Sequence, residues 1–197
     1  DSEATLNEAE KKGLAEVIKQ KPALPPLPDL TGRKLVKQWK MEDFEDALDF
    51  DATKRDLANG GKMFSVAMCS RCHRHGREGY PIGPDLTQVA NRFGHRDLLG
   101  EILEPSRTIA ENYQTSVLKL KDGRQLAGQI IPNLDYRAST LQLAENPLYP
   151  DKITKIPKMN IAQRSHSKVS LMPPGLLNLL SREEILDLLA WLQTTGK

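Results

Sequence analysis

Apolar positions recur at two different periods along this chain, and the change of period divides it. Over residues 53–68, "TKRDLANGGKMFSVAM", the spacing predicts a helix with Gly60 and Phe64 one turn apart. In "HRDLLGEILEPS", Leu98, Leu99, Ile102 and Leu103 keep helical spacing until Pro105 stops them. From about residue 113 the pattern alternates instead. "QTSVLKLKDGRQLAGQII" turns at Asp122-Gly123, a favoured hairpin dipeptide, and "STLQLAE" and "DKITKIP" read as further short strands. Residues 113–157 are therefore expected to form a small antiparallel β unit. The helical period returns at the end. Ser181 and Glu184 make a capping box ahead of Ile185, Leu188, Leu189 and Leu192, with Trp191 at the edge of that face and Gly196 as a stop.

Upstream the pattern is weaker. Residues 3–20 place Leu14, Val17 and Ile18 at helical spacing in a short, charged segment. "KPALPPLPDL" follows, and its four prolines between Pro22 and Pro28 favour an extended, semi-rigid spacer. Residues 1–28 read as a tail and proline-rich linker. Residues 29–52 read as a packing arm carrying Trp39, Phe44 and Leu48, with a short helix near Glu42–Leu48. Residues 53–197 are the domain proper.

With 197 residues, 39% of them hydrophobic and 27% charged, the chain can bury a core, and no apolar run approaches membrane-spanning length. A net charge of +2 gives no case for nucleic acid. The local excess of Arg71, Arg74 and Arg77 reads as a solvated basic loop in preference to a docking patch for an acidic partner. The first residue is Asp1, which fits either a removed targeting peptide or a piece of a longer chain; no signal sequence is visible, and the oligomeric state is not legible.

Both cysteines lie in "MCSRCHRHG", residues 68–76. A structural zinc site needs four ligands, and the remaining His75, His95 and His166 make no second paired motif. A thioredoxin-like dithiol follows a strand, whereas the segment entering Cys69 reads as helix. Covalent haem attachment uses all three chemical groups. Cys69 and Cys72 can each add to a vinyl group of one porphyrin, and the next residue, His73, can ligate the iron. A ligating histidine needs a partner for its other nitrogen, and "GPDLT", residues 83–87, can offer the Pro84 carbonyl, with Leu86 against the ring. As an ordinary turn, the same Gly-Pro-Asp would need no such role. On the other iron face the candidate is Met172, displayed by the proline-stiffened "SLMPPGLL". Met63, Met68, Met159 and His166 compete with it. Arg92 is a candidate for a haem propionate, with a surface salt bridge as the alternative.

Together "GGKMFSVAMCSRCH", "GPDLTQVANRF", "DLLGEILEPSRTIAENYQ", "DGRQLAGQI" and "SLMPPGLLNLLSREEILDLLAWL" resemble class I cytochromes c. They look most like the haem-binding c-domain at the C-termini of large planctomycete and verrucomicrobial proteins. The resemblance runs from about Trp39 to Leu192. It implies a mainly α fold: a cytochrome c-like helical domain with the small antiparallel β unit inserted before the distal methionine loop, and Gly60 and Phe64 crossing the terminal helix near Leu188–Leu192, with Trp191 in place of the usual tyrosine. It also implies one covalent haem c with His73 and Met172 as axial ligands. The expected role is one-electron transfer rather than catalysis, from a partner or fused dehydrogenase domain to another acceptor. The alternative is a haem peroxidase or gas sensor with a labile distal ligand. Because c-type attachment takes place outside the bacterial cytoplasm, the expected location is the periplasm or cell surface.

Overall fold

The computed structural model describes residues 23–133, 135 and 137–194. The expected helix over 3–20 and the stop at Gly196 lie outside the described residues. Helix α1 spans Leu57–Val66, and its N-cap Asp56 accepts the backbone N–H of Asn59 at 2.9 Å. Helix α2 spans His95–Leu103 and buries Leu98, Leu99 and Ile102. Helix α3 spans Arg182–Leu192, opened by the Ser181–Glu184 capping box.

Helices α1 and α3 cross at very close range. A Cβ on Gly60 would fall 2.2 Å from the Asp187 carbonyl oxygen and 2.7 Å from the Trp191 Cβ, so no larger residue fits. Phe64 is fully buried beside this crossing, its ring 5.0 Å from that of Trp191. Asp187 sits on the buried face of α3, where an unpaired carboxylate would be costly. Arg55 donates to it from Nε at 2.9 Å, and Asn59 Nδ2 at 2.9 Å.

The segment before α1 is extended and lies on the helical core. Trp39 Nε1 donates to the Leu180 carbonyl at 3.0 Å, Phe44 is fully buried, and Arg33 pairs with Glu184 at 2.9 Å. The short helix expected near Glu42–Leu48 is instead a 3-10 turn, Met41–Phe44.

The first strands, β1 (Arg74–His75) and β2 (Glu78–Gly79), make a two-residue antiparallel pair just after His73. The second sheet holds β3 (Ser116–Leu120), β4 (Gln125–Ile131), β5 (Thr140–Ala144), β6 (Ile153–Pro157) and β7 (Ile161–His166), in the order β6-β5-β4-β3-β7. Strands β6 and β7 are opposite edges, yet only Lys158–Asn160 separates them. A flat sheet would put those edges roughly 19 Å apart, while four residue steps reach at most about 14 Å. The sheet must therefore curl. Its concave side holds a second core of Leu118, Leu120, Leu143 and Ile156. Gly128 marks the bend in β4: a Cβ there would lie 2.3 Å from the Ala144 carbonyl oxygen.

This architecture corrects the mainly α, cytochrome c-like expectation. The described α-helices have 10, 9 and 11 residues, against a five-stranded and a two-stranded antiparallel sheet, so the chain is a sheet-rich α/β protein. Two things account for the difference. The short helix expected near Glu42–Leu48 closes only a 3-10 turn and adds no α-helix. The β unit also extends past residue 157, because β7 adds a fifth strand against β3.

Gly60→Ala should lower unfolding free energy by about 1–3 kcal/mol or more, the usual scale of overpacking. Gly61→Ala should cost less, since its Cβ would meet only the edge of the Trp191 indole at 3.0 Å. Urea unfolding of the two variants checks the order. Acid stability should report the Arg33–Glu184 pair. Burial raises the Glu184 carboxyl, but hydrogen bonds from Arg33 and Ser181 outweigh it and hold the pKa below its ordinary value. Its contribution is complete above the unfolded-state pKa of about 4.3 and is lost as pH falls through the lower folded value. Arg33→Gln should flatten that part of the stability–pH curve.

Candidate functional site

Two residues past helix α1 stands a left-handed residue, Met68 at φ 60°, the single non-glycine with positive φ among the described residues. The chain then enters a 3-10 turn, Cys69–Arg71, closed by the Cys72 N–H on the Cys69 carbonyl at 3.1 Å. Residues three apart eclipse in a 3-10 turn, so this turn places both thiols on one side. Both line one cavity of about 280 Å³, close to the lower end of small-molecule sites of roughly 300–1,000 Å³.

His73 lines the same cavity, and its Nδ1 is 2.8 Å from the Pro84 carbonyl oxygen. A carbonyl can only accept, so Nδ1 carries the proton and the Nε2 lone pair is left for a ligand. Burial pushes the His73 pKa down, with the Pro84 carbonyl pulling the other way, so the ring stays neutral at neutral pH. Gly83 makes the close approach possible. A Cβ at that position would lie 2.8 Å from His73 Cε1.

The rest of "GPDLT" fixes this loop to β1. Asp85 pairs with Arg74 at 2.5 Å and accepts the Thr87 N–H at 2.8 Å. Leu86 N–H donates to the Arg74 carbonyl at 2.7 Å, and Gly76 N–H to Thr87 Oγ1 at 2.9 Å. Met172 lines the cavity from the distal loop, where its N–H donates to Ser170 Oγ at 3.1 Å. Ile82, Leu171 and Leu176 make the surrounding wall largely apolar.

The structure thus brings together Cys69, Cys72, His73, Pro84 and Met172. It does not bring Leu86 or Arg92 to them. Leu86 packs against the helical core. Arg92 is exposed on a separate cleft with Arg74 and Arg77, its guanidinium 5.6 Å from the Phe93 ring. The competing ligands divide as well. Met68 lines the cavity, Met63 is buried in the core, and Met159 is 76% exposed. His75 is buried against Trp191, with Nε2 3.0 Å from the Thr194 carbonyl oxygen, and His95 stacks on Phe50. His166 lies exposed on β7. Among the described residues, no group of three or more His, Cys, Asp and Glu side chains is arranged to hold a metal ion.

Sequence reasoning missed the wall supplied by the β unit. Gln129 of β4 and Asn146, Pro147 and Leu148 after β5 line the cavity, and the Cys72 thiol lies 3.5 Å from the Pro147 carbonyl oxygen. The signal was "NPLYP", a proline-stiffened stretch of the same kind as "LMPPG". The reading of Arg71 as solvated is also corrected: it is only 4% exposed.

Two thiols, a neutral imidazole with a free Nε2, a thioether and apolar walls make a donor set that fits haem c. No protein-family model and no curated protein matches this chain.

The thiols should differ in reactivity when nothing is attached to them. Burial pushes the Cys69 thiol up to about 12, and raises Cys72 as well, where the Arg71 charge pulls the other way. Iodoacetamide at pH 8 should label Cys72 of the haem-free protein before Cys69, and both rapidly in denaturant. Peptide mass spectrometry reads the order.

Proposed function

We propose that this chain carries one covalent haem c and moves single electrons. The observation that carries the reading is the convergence of Cys69, Cys72, His73 and Met172 on one apolar cavity, although Met172 is remote from the other three in sequence. The bound group would supply a one-electron iron couple. Cys69 and Cys72 anchor it through two thioether bonds. His73 would offer its Nε2 lone pair to the iron, and the Pro84 carbonyl keeps the proton on Nδ1 and the ring in place. Met172, on the same cavity, would offer its sulfur as a further ligand. A histidine and a methionine both supplied by the protein would favour electron transfer over oxygen or peroxide chemistry. Ile82, Leu148 and Leu171 exclude water from the site, a lever on its potential.

The resemblance to haem-binding c-domains supports a dehydrogenase domain, in the same or a partner chain, as electron donor. Attachment chemistry of this kind supports an exported location, in the periplasm or at the cell surface. Both rest on the motif and the site.

Expressed with a haem c maturation system, the protein should keep its haem through denaturation in alkaline pyridine, with the spectrum of two thioether bonds. The Cys69→Ala, Cys72→Ala double variant should release it. The oxidised protein should show a sulfur-to-iron charge-transfer band that Met172→Ala abolishes, and only the variant should respond rapidly to cyanide. A wild type without covalent haem would end the proposal; rapid cyanide binding by wild type would turn it toward a peroxidase or sensor.

A further inference from the structure

Arg71 stands between the two cysteines and is almost wholly buried, yet among the described residues it has no carboxylate partner. Its guanidinium donates to the carbonyls of Pro25, in the proline-rich arm, and Leu148, in the loop after β5. The buried Nε has no hydrogen-bond partner. The Tyr149 ring centroid lies 5.9 Å from the guanidinium carbon. Carbonyl dipoles and an aromatic face ease the burial of a guanidinium, but they leave its net charge in place, and a guanidinium does not lose its proton. Arg71 is not in the cavity wall. It therefore acts on the cavity by its field, through material that screens less than water.

We propose that Arg71 is a buried, uncompensated cation whose field biases the redox centre held by Cys69, Cys72 and His73 toward its reduced form. The inference rests on the haem reading above. Reduction adds one electron and no atoms, so the centre loses one unit of positive charge. A fixed cation beside it disfavours the oxidised form more than the reduced one. In the cell the electron comes from a protein donor; in the test an electrode supplies it through soluble mediators.

Spectroelectrochemistry of the holoprotein tests this. Arg71→Gln should shift the oxidised-to-reduced ratio at fixed potential about tenfold toward oxidised, a fall of about 59 mV for one electron. Arg71→Lys should stay near wild type. If Arg71→Gln matures poorly, Arg71→Met carries the same expectation. Tyr149→Ala loosens the same loop without removing the charge, and should move the potential far less. An unchanged potential in the neutral variants overturns the inference, as does an equal fall in Arg71→Lys or Tyr149→Ala. A wild type with no covalent haem defeats the haem reading itself, an outcome visible before any potential is measured.

Discussion

The rest of the structure depends on how closely α1 and α3 approach at Gly60. Because the Asp187 carbonyl occupies the space a side chain would need, the two helix axes are fixed at a distance that only glycine permits. The crossing also fixes the direction in which α1 delivers the chain to Met68. The left-handed conformation there costs a non-glycine residue roughly 1–2 kcal/mol, a strain that surrounding packing must offset. Met68 turns the backbone from α-helix into the 3-10 turn that aligns the thiols. Helix packing far from the cysteines thus sets where their sulfurs point.

The second constraint is electrical. A histidine can donate a lone pair to a metal only when neutral; at His73 burial favours the neutral ring, and the Pro84 carbonyl, by accepting the Nδ1–H, fixes the tautomer that leaves Nε2 free. That carbonyl is placed by backbone hydrogen bonds, the Asp85–Arg74 pair and the Thr87 hydroxyl. Each residue of "GPDLT" therefore has a separate task. Leu86 serves by its backbone N–H and by packing into the core rather than by touching a ligand.

Much of this was legible because the relevant signals are local. The Ser181–Glu184 cap, the stop at Pro105, the Asp122-Gly123 hairpin and the spacing of Cys69, Cys72 and His73 each depend on a few adjacent residues. What stayed illegible depends on distant partners. Periodicity cannot show that Asp187 on the apolar face of α3 is satisfied by Arg55 and Asn59. Strand β7 escaped notice because five of its six residues are exposed, leaving no alternation to detect. The mainly α expectation failed for the same reason, since the curled sheet is closed by the pairing of β7 with β3. Arg71 and Arg92 look alike as letters, yet one is sealed under the Pro25 and Leu148 carbonyls and the other lies open to solvent.

The two hydrophobic cores meet at the cavity without merging. Met172 packs against the helical core, as does Cys69, whereas Gln129 and the 146–148 loop belong to the curled sheet. The site therefore lies between the helical core and the curled sheet. Among the described residues, the cysteine motif reaches the 146–148 loop through two polar contacts, Arg71 to Leu148 and the Cys72 thiol to the Pro147 carbonyl. Both begin inside the cysteine motif. The residues that would anchor a cofactor are thus next to those that hold the sheet against the helices. A group attached at the thiols would therefore share the short turn that holds the β wall.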